Sequence, residues 1–193
     1  DEPAMTIPVA TGRPFVFASL GTLQGDRFGL FQRIAEACRD LDVQLLIAHC
    51  GRLDRRQEQR LLKAGASWVT DFAPQRAVLA RADAVVTHAG LNTVLDALEA
   101  GVPSLALPIA FDQPGVAARV VHAGVGLKLD PRLASRRRIV QDLRRLLREP
   151  DFAQRARLLG NEVHAAGGAP RAAQLIEAAL GVESPALQRA EHG

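Results

Sequence analysis

Short apolar runs alternate with amphipathic stretches along most of this sequence, and that alternation constrains the fold more than any other feature. Phe15-Val16-Phe17-Ala18-Ser19-Leu20 reads as a buried strand ended by Gly21. Phe31, Ile34, Ala35, Cys38 and Leu41 recur at helical spacing, which predicts an amphipathic helix over 28–41. The pattern continues with a strand over 44–48, a helix over 54–64 and a strand over 68–70. Pro74 opens a short helix, where its missing N–H costs nothing. A strand over 84–87 leads into a helix from Gly90 to about Ala100, stopped by Gly101-Val102-Pro103. A strand over 104–107, a helix over 113–123 and a last strand near 125–128 complete the series. Three helices follow, over 135–148, 151–166 and 170–180. In the first of them Ile139, Val140, Leu143, Leu146 and Leu147 form the buried stripe, while Arg137, Gln141, Arg144 and Arg148 face away. Short strands separated by helices require right-handed crossovers, hence a parallel sheet covered on both faces. The expected fold is α/β, a doubly wound, Rossmann-like parallel sheet with C-terminal helices.

Composition narrows what such a fold can be for. At about 150 residues per domain, 193 residues make about one domain. With 48% hydrophobic and 23% charged residues, disorder is excluded for most of the chain. No apolar run approaches the roughly 20 residues that span a bilayer, and no signal peptide is visible. The only Met is Met5, so the chain is not expected to begin where translation begins. The net charge is only +3, aromatics are 4% and Tyr is absent, which argues against a nucleic-acid partner. Cys38 and Cys50 are too few for a disulfide framework; both fall in apolar segments and are expected to be buried free thiols in a reducing cytosol.

In an open parallel sheet, ligands sit beyond the carboxyl ends of the strands, where loops feed into helix N-termini that attract anions. Four such loops can be read: Ser19-Leu20-Gly21-Thr22, Asp71 to Gln75, Thr87 to Thr93, and Pro108 to Gln113. Together they offer a stacking ring, hydroxyls, a histidine and carboxylates, the inventory of a nucleotide-diphosphate site. Gly21 to Gly25 lacks the Lys-Ser/Thr of a P-loop, and Gly124-Val125-Gly126 lacks a third glycine and precedes a strand. Asp40-Leu41-Asp42 has the look of a metal-binding pair but falls in a helix-to-strand turn at the opposite edge, where a solvated turn is expected.

Phe72-Ala73-Pro74-Gln75, Thr87-His88-Ala89-Gly90-Leu91-Asn92-Thr93, Asp96, Gly101-Val102-Pro103, Pro108 and Asp112-Gln113 resemble, in order and spacing, the donor-binding box of family 1 glycosyltransferases. Phe17 to Thr22 is similar to that family's Ser-x-Gly-Ser/Thr loop, so the likeness covers most of the chain. A narrower resemblance, to the family's bacterial zeaxanthin glucosyltransferases of carotenoid pathways, rests on four segments. These are Phe17 to Gly25, Ala48-His49-Cys50-Gly51, Asn92 to Asp96, and Leu107 to Ala117.

The resemblance implies the C-terminal half of a GT-B fold and a nucleotide-sugar donor, commonly a UDP-sugar, with Ser19, Gly21 and Thr22 in its first loop. Phe72 stands where the family has a Trp stacking on uracil, Ala73 meets the base through its backbone, and Gln75 lies at the ribose end. His88 matches the histidine that contacts the pyrophosphate, and Gly90, Asn92 and Thr93 form the helix start around the α-phosphate. Asp96 replaces the usual Glu on the ribose hydroxyls. Asp112 and Gln113 match the pair that grips the sugar. Leu91 departs from the plant-type Trp. No metal or other cofactor is expected, since helix N–H groups, hydroxyls and His88 would stabilise the leaving diphosphate.

Blander readings exist for each. His88, His49, His122 and His164 can be core or loop residues, Phe72 can be core, Asp96 a helix-face acid, Asp112-Gln113 an N-cap, and Ser19 and Thr22 plain turn residues. The arginines between 132 and 148 read as a solvated helix side, with contact to anionic lipid as the rival.

The expected division is residues 1–14 as an interdomain linker remnant, 15–180 as the donor-binding domain and 181–193 as a frayed, disordered tail. The acceptor pocket and the catalytic base of an inverting hexosyltransferase then lie in an N-terminal domain that this chain does not contain. No residue here is expected to be catalytic, and the chain alone should bind UDP-glucose without transferring it. The acceptor implied is a lipophilic hydroxyl compound, zeaxanthin, met in the cytoplasm or peripherally at the inner face of the plasma membrane. Alternatives are the donor subunit of a split membrane-associated transferase and a non-catalytic nucleotide-sugar-binding module; a GT-B-type sugar-nucleotide epimerase is weaker.

Overall fold

The computed structural model describes residues 7–180. Six strands form one sheet: β1 (Phe15–Ser19), β2 (Gln44–Ala48), β3 (Trp68–Thr70), β4 (Ala84–Thr87), β5 (Ser104–Ala106) and β6 (Gly126–Lys128). Every neighbouring pair is parallel, in the order β3-β2-β1-β4-β5-β6. The chain therefore winds outward from β1 in one direction and, after β3, returns to β4 and winds the other way. This is the doubly wound topology expected, and the reversal between β1 and β4 leaves a crevice at their carboxyl ends. Between the strands lie α1 (Phe28–Leu41), α2 (Arg55–Ala64), α3 (Gln75–Leu79), α4 (Leu91–Glu99) and α5 (Gln113–His122). The chain continues as α6 (Arg136–Arg148), α7 (Pro150–Ala165) and α8 (Gly168–Leu180).

Strand periodicity divides the core. In β1, Val16 and Ala18 point to one face, where Phe31, Ile34 and Cys38 of α1, Leu61 of α2, and Ile139, Leu143 and Leu146 of α6 pack. Phe15 and Phe17 point to the other, against Val78 and Leu79 of α3 and Ala97 of α4. A third cluster joins Val94 and Leu98 of α4, Val116 and Val120 of α5, and Ala156 of α7. The α6 stripe is as expected, with Val140 and Leu147 partly buried at its margin.

Local chemistry sets the helix ends. Asp54 lies one residue before α2 and forms a capping box with Gln57: its carboxylate accepts from the Gln57 N–H at 2.8 Å, and the Asp54 N–H donates to Gln57 Oε1 at 3.0 Å. Pro74 likewise precedes α3 as its cap rather than occupying the first turn. Asp40-Leu41-Asp42 ends α1 at the edge opposite the crevice, Asp42 in the left-handed region (φ 53°). Arg136 pairs with Asp40 and Arg13 with Asp42, so neither aspartate is left to a metal.

Residues 7–14, read from the sequence as linker, are fastened to the domain. The Gln44 side chain accepts from the Ala10 N–H at 2.7 Å and donates to the Ala10 and Arg13 carbonyls. Ile7 and Val9 pack on the second face of the sheet. The rest of the expected linker, 1–6, and the expected tail, 181–193, lie outside the described residues. One expectation for the cysteines fails. Cys38 is buried, and desolvation pushes its thiol up to about 12, but Cys50 is only partly buried, because it stands two residues beyond β2 at the carboxyl edge.

Candidate functional site

The crevice at the β1–β4 reversal is a cleft of about 430 Å³ lined by Ser19, Gly21, Thr22, Cys50, Gln75, His88, Gly90, Leu91, Asn92 and Thr93. Of the thirteen donor-binding candidates, eight share this wall. Cys50 and Leu91 join them. Reading only the loops after β1, β3, β4 and β5 as the binding edge misses Cys50, which the carboxyl end of β2 signals.

His88 organises the cleft. It follows β4, and its ring sits between two glycines: a Cβ on Gly21 would lie 2.6 Å from the ring's Cε1, and one on Gly90 would lie 2.6 Å from Nε2. Gly21 also holds a φ of +75°, which an L side chain resists. Both glycines are therefore required by the imidazole, and Gly21 by its turn as well. Desolvation holds the His88 pKa below its ordinary value, opposed by the nearby Asp112 carboxylate and by a hydrogen bond to the Ser19 backbone. The unliganded ring is accordingly neutral near pH 7, and an arriving anion would favour its protonated form.

Beside it, α4 begins at Gly90 with no side-chain cap, so the N–H groups of its first turn are open to a ligand. Thr93 is buried, and its hydroxyl donates to Gln75 Oε1 at 3.2 Å. What it offers a phosphate is therefore its backbone N–H. Gln75 Nε2 donates in turn to Asp96 Oδ2 at 2.7 Å, and Arg76 Nε lies 3.9 Å from Oδ1. Thr93, Gln75 and Asp96 thus form one chain tying α3 to α4, with carboxylate lone pairs of Asp96 left for further hydroxyl donors.

The remaining candidates flank the cleft. Phe72 is 69% exposed, which sets aside the core reading, and Ala73 packs against the core on the second face of the sheet. Ser19 ends β1 almost fully buried, its hydroxyl 3.4 Å from the Gly21 N–H. Asp112 is exposed at the start of α5 and gives no side-chain cap. Gln113 is 5% exposed, and its Oε1 accepts from the N–H groups of Ile109 and Ala110, each at 2.8 Å. That oxygen is committed to the loop, leaving the amide N–H groups for a ligand. Backbone strain gathers at this edge: Cys50 (φ 56°), Ala89 (φ 67°) and Phe111 (φ 57°) are left-handed non-glycine residues in its loops.

His49, Glu58 and Asp71 bring three ligand-type atoms within 4.8 Å of one another. His49 Nδ1, however, accepts the N–H groups of Arg52 and Leu53 at 3.1 and 3.0 Å, which places the ring proton on Nε2 facing the carboxylates. Nε2 then has no lone pair for a cation. No helix among the described residues is long and apolar enough to cross a membrane.

Chemically, this arrangement can hold a diphosphate between the β1–α1 loop and the α4 N-terminus, with a ring surface to one side and a carboxylate for hydroxyls. Comparison with known proteins shows which family has this sequence and fold. The chain is 46% identical over 175 residues to a zeaxanthin glucosyltransferase of Pantoea ananas, covering 91% of this chain and 40% of that protein. It is 46% identical over 167 residues to one of Pseudescherichia vulneris, covering 86% of this chain and again 40% of the relative. The chain thus spans about 40% of the length of these relatives. Among solved structures, the calicheamicin glycosyltransferase CalG4 superposes with a TM-score of 0.82 at 29% identity, over 93% of this chain and 46% of that one. The family described as UDP-glucoronosyl and UDP-glucosyl transferase matches residues 9–166. This chain belongs to that family.

Proposed function

We propose that this chain is the donor-binding half of an inverting, UDP-glucose-dependent glycosyltransferase that glucosylates a hydroxyl of a lipophilic acceptor, zeaxanthin. The observation that carries the reading is the cleft at the β1–β4 reversal, where His88 and the open first turn of α4 face Ser19, Gly21 and Thr22. Phe72 supplies the exposed ring for the base, and Asp96, oriented by Gln75, receives the ribose hydroxyls. Asp112 and Gln113 meet the sugar. The leaving UDP is stabilised by backbone N–H groups, hydroxyls and His88, without a metal ion. An N-terminal domain supplies the acceptor pocket and the catalytic base, so the chain by itself binds donor and transfers nothing. The 46% identity to zeaxanthin glucosyltransferases supports the acceptor assignment. Reaction takes place on the cytoplasmic side, peripherally at the membrane that holds such an acceptor. The seven arginines from Arg132 to Arg148 fit that location, since among the described residues only Arg136 and Arg145 are in salt bridges there.

Titration calorimetry of UDP-glucose into the wild-type chain and Asp96→Ala tests the donor site. Loss of hydrogen bonds to a charged acceptor costs about 1.5–3 kcal/mol, a roughly ten- to 150-fold weaker affinity. Unchanged affinity removes Asp96 from the site, and no heat with wild type overturns the donor reading.

A further inference from the structure

Three loops of the donor edge meet at one buried side chain that lies outside the cleft. His49 is fully buried just beyond β2. Its Nδ1 accepts from the Arg52 and Leu53 N–H groups and so folds the loop before α2. Its Nε2 is hydrogen-bonded to Glu58 Oε1 at 3.0 Å, and Asp71 Oδ1 lies 3.2 Å from the same nitrogen. Asp71 immediately precedes Phe72, and the backbone repeats the tie: the His49 N–H donates to the Thr70 carbonyl at 3.1 Å, and the Cys50 N–H to the Asp71 carbonyl at 2.7 Å. The third loop arrives from β1. A Cβ on Gly25 would lie 2.0 Å from the His49 carbonyl oxygen, and Arg52 Nε donates to the Thr22 carbonyl at 3.0 Å.

We propose that His49 is a positioning residue for nucleotide recognition, which through Asp71 fixes the Phe72–Gln75 loop against the Thr22 side of the cleft. The inference rests on the nucleotide-donor reading of the cleft. Both ring nitrogens are committed to different partners, so the two halves of the role separate chemically. Asparagine at this position reproduces the Nδ1 acceptor but cannot reach Asp71. Glutamine reproduces the Nε2 donor but leaves the Arg52 and Leu53 N–H groups without their acceptor.

Binding of UDP and of inorganic pyrophosphate, a base-free probe, is measured for the wild-type chain, His49→Asn, His49→Gln, Asp71→Ala and His49→Asn/Asp71→Ala. Asp71→Ala leaves the His49–Glu58 bond and the backbone hydrogen bonds to Thr70 and Asp71 in place, so it removes only the side-chain contact while the fold is kept. A loop that spends a tenth to a fifth of its time in the competent position weakens binding about five- to tenfold. That loss is expected for UDP in His49→Asn and in Asp71→Ala, with no further loss in the double variant and no change for pyrophosphate. His49→Gln keeps UDP affinity near wild type while its melting temperature falls. Amide hydrogen exchange at Phe72–Gln75 rises in His49→Asn and Asp71→Ala. UDP affinity that survives both substitutions, effects that add, or an equal loss of pyrophosphate overturns the inference. A wild-type chain that binds no UDP overturns the nucleotide reading and the inference together.

Discussion

The imidazole of His88 fills a slot whose walls are glycines, and this changes how its neighbours are read. Gly90 reads from the sequence as a helix start; in the structure its missing side chain is the space the ring occupies. Gly90→Ala is therefore expected to displace the ring and to destabilise the chain by about 1–3 kcal/mol through overpacking. In a His88→Ala background the same substitution should be nearly neutral, because Gly90 itself has an ordinary φ of −63°. Thermal or denaturant unfolding of the four chains gives the coupling directly; penalties that simply add would place the strain elsewhere. Residue types were legible here, since a histidine between a strand end and a Gly-x-Asn-Thr helix start signals an anion site. The direction of each hydrogen bond was not. That the Thr93 hydroxyl is spent on Gln75, and Gln113 Oε1 on its own loop, follows from which atoms the packing brings together, and no spacing encodes it.

Elements were more legible than their joints. Apolar periodicity marks α1 and β2 to the residue, because their buried faces carry an unbroken pattern: Phe31, Ile34, Ala35 and Cys38 on one, the whole of Gln44–Ala48 on the other. Helix starts shift by one or two residues where a capping side chain or a proline stands just outside the helix, as at Asp54 and Pro74. What periodicity hides is the contact of one helix with another. Gly160 lies inside α7, and a Cβ there would lie 2.0 Å from the Leu98 carbonyl oxygen of α4. The glycine lets α7 lie close against the helix whose N-terminus faces the cleft. Gly160→Ala should gain about 0.5–1 kcal/mol in helix propensity and lose more by forcing the helices apart. A net fall in stability, measured by urea unfolding, is the expected outcome, and a rise would show that α7 is free to move.

For the whole molecule, the doubly wound order puts every donor-site loop on one edge and leaves the metal-like Asp40–Asp42 turn on the other. The sequence carries that much because alternating strands and helices admit few topologies. It does not carry the convergence on His49, which depends on β2 and β3 being neighbours in register, Ile47 opposite Val69 and Ala48 opposite Thr70.

The seam between β1 and β4 also has a temporal meaning. β1 first meets β2 at Phe15 and Gln44, close in the chain, whereas its pairing with β4 starts at Val16 and Ala84, much farther apart in sequence. Closing the longer loop costs more entropy, so the β1-α1-β2 unit is expected to assemble before β4 docks. The nucleotide cleft straddles that late seam and does not exist before it closes. UDP should therefore slow unfolding while leaving the refolding rate unchanged, a pattern that stopped-flow chevrons with and without ligand would reveal. Faster refolding in UDP would mean that the cradle is already present in the transition state. The nucleotide in that case would help to build the domain as well as occupy it.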